Sequence, residues 1–371
     1  MSRSLARQPR PATLRDRLPV NHPPATESAA FPDVQARRPR TEVSLTRVGV
    51  RGVEKVIRID GQPGGASTAD GADGAASEPQ LYFAELECYV DLNPQQAGVH
   101  MSRFEEVVNE AMDDAVSRAE LKAEHLAAHI AERVREGQGG LRAEVSLAAR
   151  YPQTVPAPVS GKPTQEIYSL FGTAVASAAG TRTLTGVQAQ GMTACPCAQE
   201  LVAGGARENL AELGYDEGQI EEILEAVPVA THNQRGIGTL YLGRDERCAA
   251  SEIDARELLT IVESSMSSEI YELMKREDER FVVEKAHRNP RFVEDVVREM
   301  IRRVADAHPE LAADGGFVLA RQENLETIHR HTVAAERSGE LAEVLRELET
   351  GEHSTHHTTM RQWLEAPSTQ A

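Results

Sequence analysis

Cysteine is scarce in this chain: Cys88, Cys195, Cys197 and Cys248 are the only four in 371 residues. That supply is too thin for a disulfide framework and points to a reducing compartment, so a cytoplasmic location is expected. Long apolar runs are also lacking. None approaches the roughly 20 residues that a membrane-spanning helix needs, and no secretory apolar region follows the N-terminus. Excess positive charge is missing too. The formal net charge is −18, which argues against nucleic acid or an anionic membrane as the main partner. A local group of Arg and Lys can still oppose that global sign, so a small anionic substrate is not excluded.

The length suits one or two domains with a substantial core. Residues 1–40 carry Pro9, Pro11, Pro19, Pro23, Pro24, Pro32 and Pro39 among Arg and Ala, which predicts a disordered tail. The same prolines oppose the amphipathic helix of a transit peptide. Order is expected from Val43, with a strand to Ile59 and a Gly/Ala/Ser/Asp loop over 60–80. Tyr82, Ala84, Leu86, Cys88, Val90 and Leu92 share one face of a second strand, which places Cys88 in the core. Ser102 with Glu105 predicts a capping box before one long helix that runs past Val134 and ends at Gly137, Gly139 and Gly140. Strands over 141–150 and 166–177, with 152–163 as a loop, complete a β-β-α-β-β order.

A similar order then returns. Strands are expected over 181–190 and 236–242 with two short helices between them. Helices follow over 254–277 and 290–307, the second opening on Pro290, and then strands over 317–321 and 331–335. The expected organisation is thus a tail (1–40), two units of the same element order (41–180 and 181–350), and a polar tail (351–371) in which His353, His356 and His357 are solvated.

Chemistry concentrates between Gly191 and Gly236. The stretch opens with Gly191-Met192-Thr193-Ala194-Cys195-Pro196-Cys197 and closes with Ala230-Thr231-His232-Asn233-Gln234-Arg235-Gly236. A thiol pair beside an imidazole suits a metal site or a nucleophile; it also suits two small buried residues at a strand-to-helix turn. Taken with Leu273-Met274-Lys275-Arg276-Glu277-Asp278-Glu279-Arg280, Asn289-Pro290-Arg291-Phe292-Val293-Glu294-Asp295, Glu323 to His331 and Gly98 to Phe104, these motifs occur in one order over about 43–337. In that order they resemble the type IB GTP cyclohydrolases and their archaeal MptA relatives.

The resemblance implies an α+β tunnelling fold with two β-β-α-β-β modules per chain, assembled as a homotetramer with active sites at subunit interfaces. It also implies a divalent metal, Fe²⁺, Mn²⁺ or Zn²⁺, with Cys195, His232, Glu279, Glu326 and His329 at the positions of the family's metal-site residues. Cys195, His232 and His331 are the implied catalytic residues. Glu294 matches the glutamate that grips guanine, and Arg235, Lys275, Arg276 and Arg103 are candidates for the triphosphate. Cys197 stays open between ligand, supporting thiol and packing.

These types make chemical sense. Water is a poor nucleophile toward C8 of a purine, and a metal with an open position lowers its pKa toward 7. One carboxylate can accept both N1–H and the exocyclic amine of guanine. Glu326 and His329 are one helical turn apart, and His329 and His331 would share a face in a strand. The implied reaction opens the imidazole ring of GTP and releases formate, giving 7,8-dihydroneopterin triphosphate for folate-type pterin synthesis. The helical insertion over about 201–229 resembles MptA instead, whose product is the 2′,3′-cyclic phosphate.

Overall fold

Strict alternation in the second strand sets the layering of the fold. In the computed structural model, which describes residues 33–59, 80–116, 122–245, 252–352 and 354–366, Tyr82, Ala84, Leu86, Cys88, Val90 and Leu92 are all buried on one face of β2 (Gln80–Leu92). Burial pushes the Cys88 thiol up to about 12, as expected of a core cysteine. β2 pairs antiparallel with β1 (Leu45–Ile59). Gly49 is required there, because a Cβ would sit 1.9 Å from the Cys88 carbonyl oxygen. The chain then runs through α1 (Met101–Val116), α2 (Ala123–Gln138), β3 (Arg142–Pro156), β4 (Pro163–Ser177) and β5 (Gly180–Ala194). It continues with α3 (Pro196–Glu212), α4 (Glu217–Ala226), β6 (Asn233–Asp245), α5 (Ala255–Ser265), β7 (Ser268–Glu269), α6 (Arg276–Arg288) and α7 (Val293–Ala307). The last elements are α8 (Glu310–Ala313), β8 (Phe317–Leu325), β9 (Thr332–Glu340), α9 (Leu341–Thr350) and α10 (Met360–Glu365).

The strands form one antiparallel sheet in the order β1-β2-β3-β4-β5-β6-β8-β9, with β7 pairing β5. This is an α+β fold in which β-β-α-β-β recurs. The β4–β5 hairpin joins the two units, Ser177 pairs with Gly180 across it, and a single hydrophobic cluster draws residues from both. Helices α2, α5 and α7 cover one face of the sheet.

Several local expectations change. The long helix after Ser102 is two helices, and Ser102 lies inside the first turn of α1 rather than capping it. β3 continues through Pro152 and Pro156 instead of stopping at Arg150. Its pairing to β2 ends at Ala149, so beyond that point one side of β3 is an edge where a missing N–H costs no ladder bond. The helix expected over 254–277 breaks at Met266. The hydroxyls of Ser264 and Ser265 turn back onto Thr260 and Ile261 carbonyls, and Ser268 pairs with Met192. Pro290 precedes α7 instead of opening it, because Phe292 is the N-cap, with Asp295 accepting from its N–H at 3.0 Å.

Both ends of the described chain are more engaged than their composition implies. Carbonyls of Gln35 and Arg37 accept from Ala97 N–H, so order is present before Val43. At the other end the lone Trp363 is 2% exposed, stacked on Phe317 and packed with Val175 and Leu184. Those residues alternate with the helix-side core residues Ala174 and Val318, so α10 lies on the opposite face of the sheet. Most of the glycine-rich loop expected over 60–80 lies outside the described residues.

Candidate active site

β5, β6 and β8 bring their chemistry to one end of the sheet. Ala194 pairs with Asn233, and Arg235 pairs with Leu325, so the last residues of β5 and β8 flank the first of β6. Cys195 follows β5 directly and caps α3, its Sγ accepting from Ala198 N–H at 3.5 Å. Pro196 fits the first helical turn, where its missing N–H leaves nothing unpaired. Cys195 N–H donates to the His232 carbonyl at 3.1 Å, and Thr231 Oγ1 donates to the Cys195 carbonyl at 2.7 Å. The backbones of Cys195 and His232 are therefore locked together, although the α3–α4 hairpin separates them in sequence. Glu326, just beyond β8, completes a cluster: its Oε2 lies 3.8 Å from His232 Nδ1, with the two side chains 7% and 16% exposed. His232 Nδ1 is buried and has no hydrogen-bond partner among the described residues.

His329 and His331 occupy the turn between β8 and β9, not a helix or a strand. Leu325 pairs with Thr332, so the chain reverses within the residues between them, and neither the helical nor the strand spacing expected of Glu326, His329 and His331 can form. The turn nonetheless stacks the two exposed rings, with centroids 5.0 Å apart.

The Lys275–Arg280 block reaches the same end of the sheet through Asp278, not Glu279. Asp278 is fully buried and accepts from Val159 N–H at 2.8 Å, Ser160 N–H at 2.9 Å, Ser160 Oγ at 2.6 Å and Lys275 N–H at 2.8 Å. Burial pushes its carboxyl up, but the bonds from Ser160, Lys275 and Val159 outweigh that and hold it well below the usual range. The carboxylate thereby clamps the start of α6 onto the β3–β4 loop. Glu279, Lys275 and Arg276 remain exposed.

Glu294 is exposed in the first turn of α7. That turn hangs on the residue before Cys195: Arg291 N–H donates to the Ala194 carbonyl at 2.9 Å, and Arg291 Nη1 to the Ser265 carbonyl at 2.7 Å. Ser267 Oγ accepts from Ala194 N–H at 3.1 Å, and Asn289 Nδ2 donates to the Ser267 carbonyl at 3.3 Å. Arg291, Asn289 and Ser267 are positioning residues not singled out from sequence; Asn289 and Arg291 belong to the polar block around Pro290, whereas Ser267 lies in no motif. Arg235 is exposed and donates to Gln190 Oε1 at 3.1 Å. Arg103 donates instead to the Gly137 carbonyl at 3.0 Å, tying α1 to the end of α2. Cys197 is exposed in the first turn of α3.

One chain thus sets His232 beside Glu326, ties the Cys195 backbone to that of His232, and anchors the Glu294 turn to Ala194. Among the described residues no group of three or more potential ligands is arranged to hold a metal, and Glu279, Lys275 and Arg276 are turned to solvent. The site is an open sheet end. A cavity of about 510 Å³ lies on the other face, where Arg47, Arg142, Phe171, Tyr241 and Leu364 line it.

Near the same end, Glu263 on α5 accepts from Tyr168 Oη at 2.9 Å. Burial, with Glu269 and Glu166 nearby, pushes its carboxyl from an ordinary value near 4.5 up to about 7, against the pull of the Tyr168 bond and Lys285. The native state therefore holds this proton more tightly than the unfolded chain does. The resulting stability is fully present below pH 4.5 and is lost as the pH rises toward 7. Glu263→Gln is expected to melt above wild type at pH 8 by the equivalent of about 2–3 kcal/mol, with the gap closing near pH 4.5. Thermal melts across that range check it; an equal gap at both ends would show that ionisation is not the cause.

Comparison with known proteins follows the same pattern. Residues 31–335 match the family described as type I GTP cyclohydrolase folE2. GTP cyclohydrolase MptA of Methanococcus aeolicus is 39% identical over 324 residues, covering 86% of this chain and 99% of that protein. GTP cyclohydrolase MptA of Methanocaldococcus jannaschii is 37% identical over 321 residues, covering 85% and 97%. Among solved structures, uricase from Arthrobacter globiformis aligns over 85% of this chain and 98% of its own at a TM-score of 0.45 and 8% identity, too slight a likeness to bear on function. With the family match spanning most of the chain and both relatives covered almost end to end, this chain belongs to the type I GTP cyclohydrolase folE2 family.

Proposed function

We propose that this chain is a metal-dependent GTP cyclohydrolase that hydrolyses C8 of GTP and releases formate. One observation carries the metal site: a buried imidazole nitrogen without a partner faces a buried carboxylate 3.8 Å away, beside a thiol fixed by backbone. That spacing is too long for a direct hydrogen bond, and the mixed thiolate, imidazole and carboxylate set suits Fe²⁺, Mn²⁺ or Zn²⁺. Cys195, His232 and Glu326 would hold the ion, with Glu279 and His329 as further candidates. A bound divalent cation supplies a water of lowered pKa for attack on the ring.

The remaining work falls to the chain. Glu294 accepts the guanine N1–H and amine and aims C8 at the cluster. His331, held against His329, exchanges protons with the opening ring. Arg235, Lys275 and Arg276 oppose the phosphate charge. Arg103 is committed to the Gly137 carbonyl and is the weakest of the phosphate candidates. A homotetramer supplies what one chain leaves apart, since Glu279, Lys275 and Arg276 are exposed and a neighbouring copy can bring them to the cluster. No helix among the described residues is long and apolar enough to cross a membrane, and we place the enzyme in the cytoplasm.

The test is direct. Protein loaded anaerobically with Fe²⁺, Mn²⁺ or Zn²⁺ should convert GTP to formate and a pterin; neither product with any of the metals would reject the reading. Mass spectrometry then separates the two products. An intact triphosphate is the outcome expected for folate-type synthesis. A dominant 2′,3′-cyclic phosphate would assign the MptA reaction, which the α3–α4 hairpin and the names of the relatives favour.

A further inference from the structure

Beneath α5 the sheet carries a row of polar side chains that the chemistry above leaves unused. In register across β5, β6 and β8, Thr193 lies opposite Gln234, Gly236 opposite Asn324, and Gly238 opposite Gln322. Alternation places Gln234, Gly236 and Gly238 on one face of β6, and Gln322 and Asn324 on the same face of β8. His232 and Glu326 stand at the ends of those two rows.

Thr193, Gln234, Gln322 and Asn324 are 0%, 5%, 0% and 1% exposed. Gln322 Nε2 donates to Asn324 Oδ1 at 2.9 Å. Among the described residues, Thr193 Oγ1, Gln234 Oε1, Gln322 Oε1 and His232 Nδ1 have no hydrogen-bond partner. Glycine makes room for these side chains beside Met266 and Val262: a Cβ on Gly236 would lie 2.4 Å from Gln322 Nε2, 3.1 Å from Met266 Sδ and 3.3 Å from Asn324 Oδ1, and one on Gly238 2.5 Å from Val262 Cγ1 and 3.1 Å from Gln322 Oε1. Stranding a polar atom in a dry interior is costly, and buried polar groups without a protein partner bind ordered water. Orphans aligned on adjacent strands and ending at the proposed ligands point to one hydrated feature rather than to scattered defects.

We propose that Thr193, Gln234 and Gln322 are joined by ordered water into a seam that ends at His232 and Glu326, and that Gln234 is a positioning residue aiming those two side chains. The row of side chains is a property of the chain itself; only the last link, to metal affinity, rests on the metal site proposed above. Supporting residues behind metal ligands act this way, by fixing orientation rather than by touching the ion.

A high-resolution crystal structure of the full chain should show water within hydrogen-bond distance of Thr193 Oγ1, Gln234 Oε1 and Gln322 Oε1; a dry seam would overturn the proposal. Gln234→Met removes the polar group at similar volume. Its Mn²⁺ affinity, measured by chelator competition, should fall roughly 10–100-fold while the metal-free protein melts within a few degrees of wild type; unchanged affinity would overturn the positioning role. Thr193→Val gives a second check without metal. It should lower the melting temperature if the hydroxyl holds water, and raise it if the hydroxyl is stranded dry, which would again overturn the seam. If wild type itself takes up no Mn²⁺, the metal site fails, and the seam is judged on its water and on Thr193→Val alone.

Discussion

His232→Ala is expected to purify without metal and to lose turnover of GTP by more than the roughly 10–100-fold typical of a supporting residue. The reason lies in how the site is built. His232 carries the buried nitrogen that faces Glu326, while its backbone carbonyl, not its ring, holds Cys195. Removing the ring therefore deletes a ligand and leaves the β5–β6 junction intact, so the fold should persist. Cys195→Ser is the companion variant: the hydroxyl can still cap α3, which isolates loss of the thiolate from loss of the cap. His329→Ala separates the turn from the cluster, because that ring is exposed and stacks on His331. Metal content after gel filtration and formate release are the measurements. Full metal occupancy in His232→Ala would remove it from the ion, whatever happened to turnover.

The sequence revealed the residue types of this site more fully than their placement. Alternation in β2 was legible because its face is buried along the whole strand, and Cys195, His232 and Glu326 were legible because they sit in blocks whose order resembles a family. Spacing failed at His329 and His331, where a tight reversal overrides both helical and strand periodicity. It failed again at Asp278. Composition cannot distinguish the buried acid that clamps α6 from the exposed Glu279 beside it, since the difference lies in two N–H groups of a loop more than a hundred residues away. The break at Met266 was hidden for a similar reason. Leu258, Ile261 and Val262 keep helical spacing, but the following serines prefer backbone carbonyls and a short pairing with β5. Trp363 escaped notice because a polar segment around one large apolar residue reads as a tail until the sheet face it covers is known.

Glu294→Gln is expected to cost about 3–5 kcal/mol of transition-state stabilisation, since two charge-assisted hydrogen bonds of roughly 1.5–3 kcal/mol each are lost or reversed. That corresponds to about a hundred- to a thousandfold or more in kcat/KM. The side chain is exposed in the first turn of α7, so the change leaves no buried group unpaired, and stability should fall only by the few tenths to about 1 kcal/mol that an acid contributes at a helix N-terminus. The amide fails for a specific reason: rotated either way, it presents one N–H toward a guanine edge that offers only donors. Inosine triphosphate supplies the control, because it keeps N1–H and lacks the exocyclic amine. Wild type should favour GTP over it, and Glu294→Gln should lose most of that preference along with rate. Arg291 makes the position credible, since it ties the α7 turn to Ala194 and hence holds Glu294 at a fixed offset from Cys195. Wild-type kcat/KM with an undiminished preference for GTP would place the guanine edge on another residue.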